Sequence, residues 1–277
     1  MNGFVWGCIV ALIALGLNLI YGIMGIINVA HGALYMLGAV IAWYIMGTSW
    51  GNFWWGLLLA PLCVGVLGMV VERVVLRPIA RQPVMTLLAT FGVMLVLEQT
   101  VFLIFGPSNQ PVADPLGGRV YVGGQVVVAS YRPFVAACAL VAAVALALFL
   151  KHTQYGTWIR AVSQYRELAL VQGLPVLRVC TLAFGLGSAL AGLAGVLHAP
   201  IVSVSYVMGL DILMLAFIVV IVGGTGSLLG TVMIAIGTSM LQNLLVLVVN
   251  PTLAHVVTLA ALGVLLLARP QGLFGEL

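Results

Sequence analysis

FVAACALVAAVALALFL, residues 134 to 150, is apolar from end to end. A helix on the surface of a soluble domain keeps a polar face toward water, whereas one that is apolar all round is buried in a large core or in lipid. About 20 such residues cross the hydrocarbon core of a bilayer, so the stretch with its flanks is long enough to span. The whole chain is built the same way. Of its 277 residues 64% are hydrophobic and 6% charged, against roughly 25% charged in a soluble domain. A water-soluble globule is excluded.

Apolar runs bounded by Gly, Pro or charge fall at 4–27, 33–50, 54–71, 84–105, 133–150, 179–199, 207–222, 229–249 and 252–268. The predicted fold is therefore all-α: one polytopic transmembrane helical bundle of eight to nine hydrophobic segments, filling residues 1–277 as a single domain. The 207–222 run and the first pair are short or Gly-rich, and are expected to be broken or re-entrant. Such backbone is tolerated at membrane depth only where protein or a water-filled cavity covers it. The first run has no basic flank and continues past any small-residue cleavage site, so it reads as a retained helix and not a secretory signal.

The net charge of +4 comes from ten Lys and Arg residues scattered between the runs. That distribution fits membrane orientation, not a nucleic-acid partner. Arg73, Arg77 and Arg81 fall in one predicted loop, Lys151, Arg160, Arg166 and Arg178 in another, and Arg269 near the C-terminus. By the positive-inside rule these segments and the C-terminus are predicted cytoplasmic. The 106–132 loop, with Arg119 and Arg132, is predicted on the opposite side. Cys8, Cys63, Cys138 and Cys180 show no CxxC pair and no metal-ligand spacing, and read as small apolar residues.

Polar groups inside the runs are few enough to weigh singly. GIINVAHGALYML, residues 25 to 37, places Asn28 and His31 in a chain with no formal charge before Glu72. Their spacing puts them on one face if the segment is helical, while Gly25 and Gly32 allow a break whose freed backbone groups need partners. A structural join between two helices and a pathway lining are both open. Asn18 and Tyr21, just upstream, are further candidates for the pathway. Glu98 lies mid-run in VMLVLEQTVFLIF, where a carboxylate costs about 2.5 to 3.5 kcal/mol on insertion scales. It should face the interior as a gating group or a hydrogen-bond anchor, with Gln99, Asn18 or His31 as partner. Asp211 opens its run and reads as a helix N-cap.

Small residues recur at packing intervals: Gly16, Gly22 and Gly25, then Gly185, Ala189, Gly192 and Gly195. They read as scaffold that lets helix backbones approach. Residues 15–40 and 210–239 share a pattern of apolar run, Gly-containing break and small-residue-rich run. Paired breaks point to a transport pathway between two halves, although Gly-rich membrane helices also look alike without any such relation. Residues 151–178 are the only long polar stretch on the basic side, enough for one or two short helices. Trp158, Ile159, Val162, Leu168, Leu170 and Val171 are expected to form a face that docks on another protein or lies on the membrane surface.

LGLNLIYGIMGIINVAHGALYMLGAV resembles the opening signature of the branched-chain amino acid ABC permeases of the LivH type. So do RAVSQYRELALVQGLPVLRVCTLAFGLGSALAGLAGVL, AFIVVIVGGTGSLLGTVMIAIG and the C-terminal RPQGLFG, in the family's order and over nearly the whole chain. The resemblance implies a multi-pass subunit of a bacterial inner (cell) membrane importer. It further implies a second, related permease subunit, as heterodimer or homodimer, two cytoplasmic ATPase subunits and a periplasmic solute-binding protein. Residues 151–178 would be the coupling segment, with Glu167, Ala169 and Gly173 at the E-x-A-x3-G spacing of importer coupling motifs and Arg160 and Arg166 beside them.

No Walker A pattern, GxxxxGK[ST], occurs, so ATP and Mg would be bound by the partner ATPases and the chain itself needs no cofactor. A branched-chain or other neutral amino acid is the expected solute, with urea or a short amide as the rival inside the family. An ion-coupled secondary transporter and an intramembrane enzyme are the rivals outside it. The enzyme lacks HExxH, GxSxG or a paired-aspartate pattern, with His31, His198, His255 and Glu98 all in separate runs.

Overall fold

The computed structural model describes residues 2–48, 51–80, 82–122, 126–269 and 272–274. Eleven α-helices follow in order: α1 (Asn2–Met24), α2 (Ala30–Met46), α3 (Phe53–Val71), α4 (Pro83–Phe105), α5 (Tyr131–His152), α6 (Gln154–Gln164), α7 (Arg166–Val171), α8 (Val176–His198), α9 (Met208–Gly223), α10 (Leu228–Leu245) and α11 (Pro251–Ala268). A two-stranded antiparallel hairpin, β1 (Arg119–Val122) and β2 (Val126–Ala129), lies in the 106–132 connection. The fold is helical, as expected, with this short hairpin confined to one connection.

Among the described residues, seven helices are long and apolar enough to cross a membrane, and α2 and α9 are shorter apolar helices. These two, among the runs expected to be short or broken, form helices of 17 and 16 residues. At 1.5 Å per residue these are about 25 Å long, short of a hydrocarbon core of about 30 Å.

The core is α1. From Cys8 to Ile20 it is buried on every side, wrapped by α8, α10, α5 and α9. Glycines make this enclosure possible. A Cβ on Gly16 would lie 2.5 Å from the Gly187 carbonyl oxygen, and one on Gly32 2.5 Å from that of Gly209. At Gly38 the obstruction is the Gly192 backbone, and at Gly195 the Tyr35 carbonyl. Helix backbones meet there in contact, as dispersion-driven association in lipid requires. Gly22 and Gly25 differ from this expectation: Gly22 has only a loose approach to Gly226, and Gly25 has nothing within 4 Å but a φ of +63°. Gly25 serves the turn.

The predicted loop at Arg73 and Arg77 is helical. After Val71 the chain continues through a π-helical turn, Glu72–Leu76, and a 3-10 turn, Arg77–Ile79. Glu72, buried, pairs with Arg77 at 3.2 Å and accepts from the Thr181 hydroxyl at 2.7 Å. The charge is satisfied along the helix, so the helix has no reason to end there. Arg81 and part of the RPQGLFG stretch lie outside the described residues.

Candidate functional site

The join between α1 and α2 is the first unusual feature. Gly25 takes the left-handed conformation, its N–H donating to the Tyr21 carbonyl at 2.8 Å, and the chain then runs without helical bonding until Ala30. The restart lies beside the middle of α1, because His31 Nε2 reaches the Ile13 carbonyl at 3.1 Å. A carbonyl only accepts, so Nε2 carries the proton. The chain therefore doubles back along half of α1 before α2 begins.

Asn28 and His31 consequently do not share a helical face. Asn28 is in the break and His31 in the first turn of α2. Both are fully buried, and neither polar atom of the Asn28 amide has a hydrogen-bond partner among the described residues. Thr90 of α4, which sequence reasoning passed over, pins the break: its hydroxyl accepts from the Val29 N–H at 3.2 Å and lies 3.3 Å from the Ile27 carbonyl. A hydroxyl in an apolar run carries no signal of its own, so Thr90 could not have been singled out.

Asn18 is satisfied elsewhere. Its amide donates to the Ser227 carbonyl at 3.1 Å and to Thr231 Oγ1 at 2.6 Å, and its oxygen accepts from the Gly226 N–H at 2.7 Å. It clamps the α9–α10 turn to α1. Tyr21, half-buried one turn on, makes no side-chain hydrogen bond among the described residues. Glu98 is buried on α4, and its Oε1 has no partner. The expected pairing with Gln99, Asn18 or His31 is not formed, since Asn18 and His31 are bound to other elements. The breaks of residues 15–40 and 210–239 also differ: the first is an extended reversal, the second a turn around Gly224 and Gly226, both with positive φ.

Residues 151–178 fold as α6 and α7, and their apolar positions divide. Ile159 and Val162 of α6 are buried against the bundle, as is Ala169 of α7, while Leu168, Leu170 and Val171 are exposed. The expected single docking face is thus replaced by an inward face on α6 and an outward one on α7. Arg160, Arg166 and Glu167 are exposed beside it. Gly173, with φ +76°, closes α7: its N–H donates to the Leu170 carbonyl and the Leu174 N–H to the Ala169 carbonyl, both at 3.0 Å. That paired bonding is a Schellman motif, which favours glycine in the left-handed position. The E-x-A-x3-G spacing therefore has a physical meaning, with Glu167 outside, Ala169 small enough to pack inside, and Gly173 ending the helix.

A third region was not anticipated. At the opposite end of the bundle, a cavity of about 370 Å³ is lined by Trp6, Tyr35, His198, Asp211, Gln242 and His255, among others. The Tyr35 hydroxyl is hydrogen-bonded to His198 Nδ1, Trp6 lies against the His198 ring with centroids 4.7 Å apart, and Gln242 Nε2 is 3.2 Å from His255 Nδ1. Asp211, expected as a cap, makes no capping bond and sits in the first turn of α9, where the helix dipole still favours its charge. These residues come from six helices far apart in sequence. No local pattern could have linked them.

Seven described helices long and apolar enough to cross a membrane, enclosing a buried break between α1 and α2, define a multi-pass membrane protein. Residues 1–268 match the family described as branched-chain amino acid transport system / permease component, and the chain belongs to that family. It is 28% identical to the high-affinity branched-chain amino acid transport system permease protein LivH of Escherichia coli (strain K12), and equally to that of Salmonella typhimurium. Each alignment covers 99% of this chain and 94% of the relative. It is also 26% identical to BraD of Pseudomonas aeruginosa, over 100% of this chain and 94% of the relative. No solved structure matches the chain.

Proposed function

We propose that the chain is the membrane-spanning subunit of a binding-protein-dependent ABC importer of the bacterial inner membrane, translocating branched-chain or other neutral amino acids. The match of residues 1–268 to the family carries this reading. A second permease subunit, two ATPases and a solute-binding protein complete the machine, and ATP with Mg belongs to the ATPases.

In this reading all nine apolar helices cross or enter the bilayer, α2 and α9 as discontinuous elements. The α6–α7 side is cytoplasmic. Arg77 bonds to Leu177 and Thr181 at the start of α8, Lys151 and Arg160 line a cleft with Asn18 and Gly226, and Leu273 donates to Val222 near the C-terminus. Basic residues thus gather at one end together with the C-terminus, which supports that orientation. Arg132, bonded to Asn2, and the hairpin lie at the other end, toward the binding protein.

Exposed α7, with Glu167, Arg166 and nearby Arg160, docks on the ATPase, and its movement rocks the helices between inward-open and outward-open states. The break at Asn28 and His31 is the hinge. Glu98 lies on the pathway side of α4. The test is uptake of labelled leucine into proteoliposomes of the assembled complex with binding protein outside and ATP inside. Uptake is expected only with ATP, and uptake that persists without ATP or the ATPase overturns the reading.

A further inference from the structure

The cavity at the Tyr35–His198 end has a composition that selects a ligand chemistry. One wall is aliphatic, from Met208, Ile212 and Leu215. Among the described residues, Asp211 supplies the one formal charge on the lining. It is exposed at the head of an otherwise apolar helix, where facing lipid is costly; lining a wet cavity relieves that cost. The same lining carries hydrogen-bond donors. Ser205 Oγ accepts from the Val207 N–H at 3.4 Å, which leaves its hydroxyl proton free, and a Tyr35 phenol donating to His198 Nδ1 leaves Nε2–H as the ring's donor. The Gln242 side-chain oxygen is buried without a partner. The volume falls at the small-ligand end of the usual range for binding sites.

We infer that this cavity is the outward-side binding site for a zwitterionic aliphatic amino acid. Asp211 takes the ammonium group, Ser205 and His198 the carboxylate, and Ile212, Leu215 and Met208 the side chain. The assignment rests on reading the chain as an amino-acid permease. An uncharged amide such as urea has no use for the carboxylate or for the aliphatic wall. The site needs only modest affinity, since a tightly held solute would not move on.

The test uses the assembled transporter in proteoliposomes and photo-leucine, a diazirine analogue, without binding protein. Cross-linking is expected within residues 202–215 and is suppressed by excess leucine, which carries the ammonium group. It should resist 4-methylpentanoate, which lacks that group. Asp211→Asn is expected to lower the labelling about tenfold or more, the weight of one charge-assisted hydrogen bond, and Leu215→Trp to abolish it by filling the wall. Labelling outside 202–215, or equal competition by 4-methylpentanoate, overturns the site whether or not the variants assemble. If the wild-type complex then still takes up leucine with ATP, the permease reading stands and only the cavity falls. If it imports no neutral amino acid, the underlying reading falls instead.

Discussion

Asn18 and Thr231 are joined across the core by an amide-to-hydroxyl hydrogen bond of 2.6 Å, and the same amide holds the turn between α9 and α10 through Gly226 and Ser227. Its position inside α1 had suggested a pathway residue, yet every polar atom is used in holding two helices. Asn18→Leu would remove the acceptor of the Gly226 N–H and the donor to Thr231 Oγ1, while the Ser227 carbonyl keeps the Thr231 N–H, at a net cost of about 0.5–1.5 kcal/mol for each hydrogen bond lost. A lower melting temperature of the purified chain in detergent is the expected outcome. Asn18→Asp, which keeps the acceptor for Gly226 but loses the donor, should fall between.

Close-packed glycines and open ones should respond in opposite directions to the same change. A Cβ on Gly38 meets the Gly192 backbone, its Cα at 2.6 Å, and backbone cannot swing away. Gly38→Ala should force α2 from α8 and cost about 1–3 kcal/mol, as overpacking does. Gly237 and Gly263 have nothing within 4 Å, so alanine there should be neutral or stabilise by about 0.5–1 kcal/mol through helix propensity. Thermal unfolding of the three variants side by side checks the contrast.

At the end of α7, Gly173 holds a φ of +76° that costs other residues roughly 1–2 kcal/mol. Gly173→Ala should loosen the helix end and lower ATP-coupled uptake, with membrane insertion and detergent stability nearly unchanged. Glu167→Arg, on the exposed face of the same helix, should lower uptake by disturbing docking alone. Normal uptake and normal stimulation of ATPase activity by both variants would remove α7 from the coupling surface.

The parts of this fold that were legible in the sequence are those that periodicity and composition control. Nine apolar runs became nine helices, and the polarity of residues 151–178 announced α6 and α7. Gly25 and Gly32 pointed to a break, and Gly25 makes it with its positive φ, while Gly32 lies inside α2. What stayed hidden depends on distance in the chain. Tyr35 meets His198, and Glu72 meets Thr181, only after the bundle closes, so no spacing rule reaches them. Ile159 and Leu168 look alike in sequence, yet one faces the bundle and the other solvent, because a single residue between the helices, Tyr165, redirects the chain. Glu72 was passed over for the same reason that Glu98 was noticed: it sits among arginines, where a carboxylate looks ordinary.

Asn28 gives the sharpest separation of folding from transport. Its amide is fully buried with both polar atoms unpaired, so in this conformation it is a liability of about 1–3 kcal/mol. A group kept at such a cost is explained if another conformation of the break supplies its partners. Asn28→Leu should then raise the melting temperature of this state while slowing uptake, because the second state loses its hydrogen bonds and the equilibrium shifts away from it. His31→Ala should do the reverse for stability, since His31 is bonded to the Ile13 carbonyl at 3.1 Å. Melting in detergent and ATP-driven uptake, measured on the same preparations, distinguish the two. An Asn28→Leu variant that is more stable and transports at the wild-type rate would mean that the break is a fixed join and not a hinge.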